Sequence, residues 1–295
     1  MRIALHGREF KESTLPLVAK LIQFLKSGNF ELLATRNLFE KIKPLVGESI
    51  FSQVFGLASK PQGIDLFLSL GGDGTLLDTI TYVGNDETPI LGVNAGRLGF
   101  LANSTFSNFQ ENFTSVLNEQ GAFPTEKRAL IRYESDQKID VFEGLNFGMN
   151  EFAVFKTDTS SMITVHAYLN GEYLNAYWAD GLIISTPTGS TGYSLSCGGP
   201  VLMPHSKSFV LTPVSPHNLN VRPLLVPDDS VIDLTVESRS SHFLVSLDSR
   251  SRVVSKEAKI TIRKERFSAN LVKVENYSFI DTLRHKLHWG LDARN

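Results

Sequence analysis

Residues 64–79 read "IDLFLSLGGDGTLLDT": an almost unbroken apolar run, three glycines around a single aspartate, and then a helical pattern. A run that is apolar at nearly every position, rather than at alternate ones, suits a parallel strand covered on both faces. In open α/β sheets ligands bind beyond the carboxyl ends of the strands, where the loop meets a helix N-terminus, and Gly71, Gly72 and Gly74 stand at such a junction. Glycine lets backbone amides come close to phosphate oxygens, so the loop reads as a phosphate cradle. Asp73 conflicts with a plain anion site, because a carboxylate among phosphates is repulsive unless it holds a cation or takes a proton. A bare "GDG" also leaves open an ordinary turn in which Asp73 or Thr75 caps the helix.

The surrounding chain supplies context. "RIALHG" is a short apolar run closed by Gly7, and Leu17, Leu21 and Leu25 follow at helical spacing up to Gly28. "NFELLAT" reads as a second strand, "RNLFEKIKPL" as a short helix, "TLLDTITYVG" as the helix after the glycines and "TPILGVN" as the next strand. This alternation through about residue 102 predicts an open α/β sheet. "FSNFQENFTSVLNEQG" adds one more helix, and then the character changes. Runs such as "ALIRYES", "MITVHAYLN", "DGLIIST", "SVIDLTVES" and "HFLVSLDS", punctuated by Gly, Pro, Asn and Asp, predict an antiparallel β domain. "FIDTLRHKLHWG" returns to helical spacing at Phe279, Leu283 and Leu287, and its apolar stripe is expected to pack on the first domain.

Composition narrows the class. At 295 residues, two domains are expected, and 42% hydrophobic with 20% charged residues is ordinary globular usage. Lys plus Arg is 29 against 31 Asp plus Glu, a net charge of -2 that gives no basic field for a nucleic acid. Cys197 is the single cysteine, so neither an internal disulfide nor a multi-thiolate metal site is expected, and a reducing cytoplasm fits. "MRIALHGREF" turns polar too early for a signal peptide and no stretch approaches about 18 uninterrupted apolar residues, so secretion and a membrane partner are not expected.

Two familiar nucleotide devices are missing. The chain has no G-x-x-x-x-G-K-[ST] and no G-x-G-x-x-G. It carries instead "WADGLIISTPTGSTGYSLSCGGP" at 178–200, where Ser185, Thr186, Thr188, Ser190, Thr191, Ser194 and Ser196 surround Gly189 and Gly192. That density of hydroxyls and flexible backbone suits hydrogen bonding to ribose or phosphate oxygens. A surface Ser/Thr loop or hairpin turn is the plainer alternative.

Taken together, "GGDGTLL" at 71–77, "GRLGFLA" at 96–102, "NE" at 150–151 and "DGLIISTPTGSTGYSLSCGGP" at 180–200 resemble the NAD kinase family in order and separation. The resemblance runs from the first strand to "SPHNLNVRPLLVP" at 215–227. "GGDG" alone is shared with diacylglycerol, sphingosine and 6-phosphofructokinase relatives, whereas the long Ser/Thr segment joined to "NE" is specific. The resemblance implies a cytoplasmic enzyme that uses ATP and a divalent cation, Mg2+ carried on the ATP, to phosphorylate the 2′-hydroxyl of the adenosine ribose of NAD. It implies a Rossmann-like α/β domain (1–122 plus 268–295), a β-sandwich domain (123–267), a last helix packing on the first domain, and a homodimer or homotetramer. By motif match Asp73 becomes the general base, with Gly72 and Gly74 beside it in the phosphate loop. Asn150 and Glu151 are expected to hold the adenosine half of NAD and Asp180 the nicotinamide end. Thr188, Thr191, Gly192, Tyr193, Ser194 and Ser196 would line the pocket, with Phe100 as an adenine wall or a core residue.

Cations for the phosphates are sought in Arg97, set between two glycines after a strand, and in Arg222 and Arg250. Trp178 is a pocket wall or a core residue. The resemblance breaks at Asp248-Ser249, where relatives often carry Asp-Gly, and at Gly192, where many carry Ala. No protein metal site is expected: His285 and His288 lack a completing ligand set and read as solvated. No G-x-S-x-G supports a serine hydrolase. Two competing functions share the outline. A lipid kinase of the same architecture would need an apolar pocket, against the polar 185–196 stretch, and a non-catalytic NAD sensor would have no need of Asp73.

Overall fold

A computed structural model describes residues 1–94, 99–102, 104–117, 122–137, 140–157, 161–274 and 277–289. The strands are β1 (Arg2–His6), β2 (Glu31–Thr35), β3 (Gln53–Phe55), β4 (Leu66–Leu70), β5 (Ile90–Asn94), β6 (Ser104–Thr105), β7 (Thr125–Ser135), β8 (Phe147–Gly148) and β9 (Glu151–Phe155). They continue as β10 (Ile163–Leu169), β11 (Glu172–Ala179), β12 (Gly181–Ser185), β13 (Ser208–Val214), β14 (Leu224–Pro227), β15 (Ile232–Glu237), β16 (His242–Leu247), β17 (Arg250–Ser255) and β18 (Ile260–Val272). The α-helices are α1 (Leu15–Ser27), α2 (Arg36–Val46), α3 (Asp73–Val83), α4 (Phe109–Val116), α5 (Tyr193–Ser196) and α6 (Phe279–Leu287). The chain forms two compact units, Met1–Lys127 with Ala269–Asn295, and Arg128–Ser268.

In the first unit the strands lie in the order β5-β4-β1-β2-β3, all parallel. Every residue of β4 is buried, as expected of a strand covered on both faces. Helix α1 buries Val18, Leu21, Ile22 and Leu25, a stripe at i, i+3, i+4 and i+7. That displaces Leu17 from the expected stripe, and its side chain is exposed. The last helix, α6, belongs to this unit, buries Leu283 and sets Phe279 against Phe100, as its spacing predicted.

The second unit has two antiparallel layers. One contains β11-β10-β15 and the part of β18 paired with β15, and the other runs β14-β13-β12-β9-β16-β17. Alternation along the strands sorts their side chains. Phe152 and Val154 of β9, Leu182 and Ile184 of β12 and Phe243 and Val245 of β16 join Val165, Leu234 and Ile260 in one buried core. Glu151, Ala153 and Phe155 alternate with the core residues of β9, and Ala153 packs with Ile183 and Val214 in a separate small cluster. Residues 186–200 leave the end of β12 beside Glu151, since Ser185 pairs with Glu151 in the β9–β12 register.

Candidate active site

The glycine loop at 71–74 is built by strand pairing and by one carboxylate. Gly71 N–H still donates to Val93 O at 2.9 Å, keeping the end of β4 tied to β5. Helix α3 then starts at Asp73 with Gly72 before it and no side-chain cap, so the capping alternative for Asp73 and Thr75 is not the arrangement found. Asp73 instead accepts three backbone N–H bonds across the unit: from Phe100 at 2.9 Å, Leu101 at 3.1 Å and Ala102 at 3.3 Å. Gly99 makes this possible, because a Cβ at that position would overlap the Asp73 carboxylate. The space beside Gly72 and Gly74, where a Cβ would point, is open.

The 99–102 segment is itself braced. Tyr277 O–H donates to Phe100 O at 3.0 Å, and the Phe100 and Phe279 rings lie 6.1 Å apart. Phe100 is thus partly buried against the last helix. Arg97, the other candidate of this segment, lies outside the described residues.

In the second unit a buried acid organises the chain around "NE". Asp248 accepts N–H bonds from Met149 at 2.9 Å, Asn150 at 2.7 Å and Glu151 at 3.2 Å. Arg250 donates to Leu145 O at 2.6 Å and also to Phe147 O, so it fixes the approach to the same turn. Burial pushes the Asp248 carboxyl up from its ordinary value, against the pull of those N–H donors and Arg250. Burial, and then the charge of Asp248, pushes Glu151 up to about 8. At neutral pH Glu151 therefore carries a proton and offers both a donor and an acceptor.

The Ser/Thr segment closes over this turn. Thr186 N–H donates to Asn150 O at 2.9 Å and its hydroxyl to Met149 O at 2.5 Å. Gly189 sits so close to Asn150 that a Cβ would overlap its backbone carbonyl. Gly192 faces the acid: a Cβ there would stand 3.3 Å from Glu151 Oε2, so the alanine of many relatives would fit closely. Glu151 Oε2 and Thr188 Oγ1 are buried and have no hydrogen-bond partner among the described residues. Buried polar atoms are otherwise almost always paired, so these two have capacity to bond a polar ligand.

The remaining expected residues divide. Asn150, Glu151, Thr188 and Gly192 come together at this turn, and Thr191 joins them through its hydroxyl bond to Thr188 O at 3.3 Å. Asp180 lies farther along the sheet in an ion pair with Lys156 at 2.6 Å. Tyr193 is exposed, 5.8 Å from the Phe155 ring, and its phenol is raised by burial and by Cys197 and Asp180. Ser194 is fully buried in a hydroxyl pair with Thr212 at 2.8 Å, whereas Ser196 is exposed. Trp178 is half-exposed against His217, and Arg222 donates through Nη1 to Leu219 O and Val221 O. His285 and His288 are exposed. Sequence reasoning missed the part Asp248 plays: "SLDSR" signals only a turn, where Asp248 takes φ 52°, and not the inward course of its carboxylate.

A loop of this kind can cradle phosphates and take a proton but forms no covalent bond of its own, which is how phosphotransferases divide the work. Comparison with known proteins gives the particular case. Residues 5–121 match the ATP-NAD kinase N-terminal domain and residues 149–274 the ATP-NAD kinase C-terminal domain. The NAD kinase of Cytophaga hutchinsonii is 47% identical over 100% of both chains, and that of Flavobacterium psychrophilum 46% over 100% of both. Among solved structures, an NAD kinase from Archaeoglobus fulgidus in complex with ATP aligns with a TM-score of 0.75 at 25% identity, covering 98% of this chain and 99% of that one. Yeast NADH kinase complexed with NADH shares the fold, with a TM-score of 0.84 at 22% identity over 99% of this chain and 88% of that one. The chain belongs to the ATP-NAD kinase family, and its activity is the ATP-dependent phosphorylation of NAD.

Proposed function

We propose that the γ-phosphoryl group of ATP passes to the 2′-hydroxyl of the adenosine ribose of NAD, giving NADP and ADP. The O2′–P bond forms as the bond from phosphorus to the β–γ bridging oxygen breaks, and Asp73 takes the hydroxyl proton. The observation that carries this reading is the hold on Asp73. A carboxylate offers about four acceptor positions. Three backbone N–H groups occupy three of them and leave room for one hydroxyl. The bonds also fix the carboxylate against rotation, which favours one direction of proton transfer.

Gly72 and Gly74 admit the phosphates along the open side of the loop, and Arg97 is assigned to them from "GRLGF" alone. Phe100 offers a face for adenine. For NAD, Asn150 and the protonated Glu151 bind the adenosine ribose, with Thr188, Thr191 and Gly192 beside them and Asp180 and Tyr193 toward the nicotinamide. Ser194 holds α5 in place through Thr212, and Ser196 opens to solvent at the pocket's edge. A divalent cation, Mg2+ by its preference for oxygen, would be held mainly by the phosphate oxygens of ATP, since the Asp73 carboxylate already accepts three N–H bonds. Bound there, it neutralises phosphate charge.

Among the described residues no helix is long and apolar enough to cross a membrane. The same reading places the enzyme in the cytoplasm as a homodimer or homotetramer.

The test is a coupled assay of NADP formation from NAD, ATP and Mg2+. Asp73→Asn should lose roughly 10²-fold or more in kcat with its fold intact. Activity within tenfold of wild type would remove Asp73 as the base.

A further inference from the structure

The parallel sheet of the first unit reverses its order between β1 and β4. From β1 the chain builds outward through β2 and β3, and then returns to lay β4 and β5 on the other side. His6 and Ser69 face each other across that reversal. Loops leaving two neighbouring strands in opposite senses open a crevice there, and in open α/β sheets that crevice takes the ligand. The loop after β4 is the phosphate cradle already described. The loop after β1 begins with Gly7 and Arg8.

We infer that Arg8 is an ATP-contacting residue, its guanidinium meeting the triphosphate from the β1 side of the crevice; the inference rests on the proposed reaction and adds a cation to it. Arg8 Nη1 donates to Asp78 Oδ2 at 2.9 Å, which holds the side chain against α3, the helix that starts at Asp73. Asp78 lies five residues into α3, about 7–8 Å along its axis from the start, which is the distance the guanidinium would have to cover to reach the loop. The Arg8 side chain remains half-exposed, 53%. An arginine presents five donors, so one bond to a carboxylate leaves donors for a phosphate. The need for such a cation is plain. Asp73 puts a negative charge inside the cradle, the chain as a whole carries -2, and Arg222 and Arg250 are both engaged with carbonyl oxygens.

The floor of the crevice adds no charge of its own. His6 is buried against Tyr82, with Nδ1 3.0 Å from Thr35 Oγ1. Burial and then the charge of Arg8 hold its pKa near 4, so it adds no second cation beside Arg8.

Two measurements on the full-length chain test this. In steady-state assays Arg8→Ala should raise KM for ATP about tenfold or more, with KM for NAD within twofold of wild type. Arg8→Lys should fall between, since an ammonium keeps the charge but loses the fork. Asp78→Asn, which releases the guanidinium, should leave KM for ATP at or below the wild-type value. Calorimetric titration with a nonhydrolysable ATP analogue should show the same loss of affinity in Arg8→Ala, and reads Arg8 even if wild type forms no NADP. The inference is overturned if Arg8→Ala binds the analogue within twofold of wild type, or if Asp78→Asn reproduces the loss, which would make the pair a structural strut. A normal melting temperature for Arg8→Ala separates lost contact from lost fold; if that variant does not fold, Arg8→Lys decides by the same titration.

Discussion

Asp73 and Glu151 are both carboxyls at the start of a regular element, yet their surroundings set them to different work. Three N–H donors hold Asp73, whereas Glu151 has a buried oxygen without a partner among the described residues and a second acid beneath it. The hold on Asp73 depends on the missing side chain of Gly99. Gly99→Ala should displace the carboxylate and lower kcat by roughly 10-fold or more while KM for NAD changes little; unchanged kcat would show that the 99–102 amides do not position the base. Glu151 makes a pH-dependent stability. Its carboxyl releases a proton near 4.5 when unfolded and near 8 when folded, so between those values the folded state binds more protons and stability falls as pH rises. Melting temperature should therefore drop from pH 5.5 to 8, and Glu151→Gln, which mimics the protonated acid, should remove much of that slope. An identical slope in the variant would mean that Glu151 is already ionised in the fold at neutral pH.

At the scale of elements, the strands and helices were legible because periodicity reports burial directly: β4 reads as apolar throughout and is buried throughout, and β10 alternates in burial along its first five residues. Boundaries were less so. Pattern alone puts the change of domain at 122/123, where helical spacing stops, while the two units of the structure divide at 127/128, inside β7. The Ser/Thr segment was legible as a density of hydroxyls, but hydroxyl content does not say which ones are buried and bonded. Ser194 and Thr188 look alike in sequence; one is consumed by Thr212 and the other has no partner among the described residues. Asp248 was illegible for a related reason, since a turn residue and a buried acid carry the same letter. Its removal should be felt in the element it anchors. Asp248→Ala leaves the N–H groups of Met149, Asn150 and Glu151 without their acceptor. Each unmade buried bond costs about 1–3 kcal/mol, so a loss of about 3 kcal/mol or more is expected in denaturant unfolding. A loss below about 1 kcal/mol would show that water or another group replaces the carboxylate.

At the scale of the whole molecule, the order of the chain matters because its late residues return to the first unit. After β18 the chain re-enters that unit at Ala269, and Leu271 pairs with Ile90 of β5. Tyr277 and Phe279 then reach Phe100, the first residue of the segment whose amides hold Asp73. A residue 177 positions after Phe100, and more than 200 after the glycine loop, thus stands one contact away from the proposed base. The apolar stripe of α6 is short, with Leu283 and Thr282 the buried positions, so this support is modest in stability but specific in direction. Tyr277→Phe with Phe279→Ala removes the hydroxyl bond and the ring contact without shortening the chain. The double variant should keep most of its melting temperature, within a few degrees, yet lose several-fold in kcat with KM for NAD nearly constant. A proportional loss of stability and activity would instead make α6 simple packing, whereas unchanged kcat would detach the end of the chain from the chemistry. The contrast between the two readouts is informative because a brace on a catalytic segment restricts where Asp73 can be, while the bulk of the first unit's core, from Ile3 to Val93, is untouched by the change.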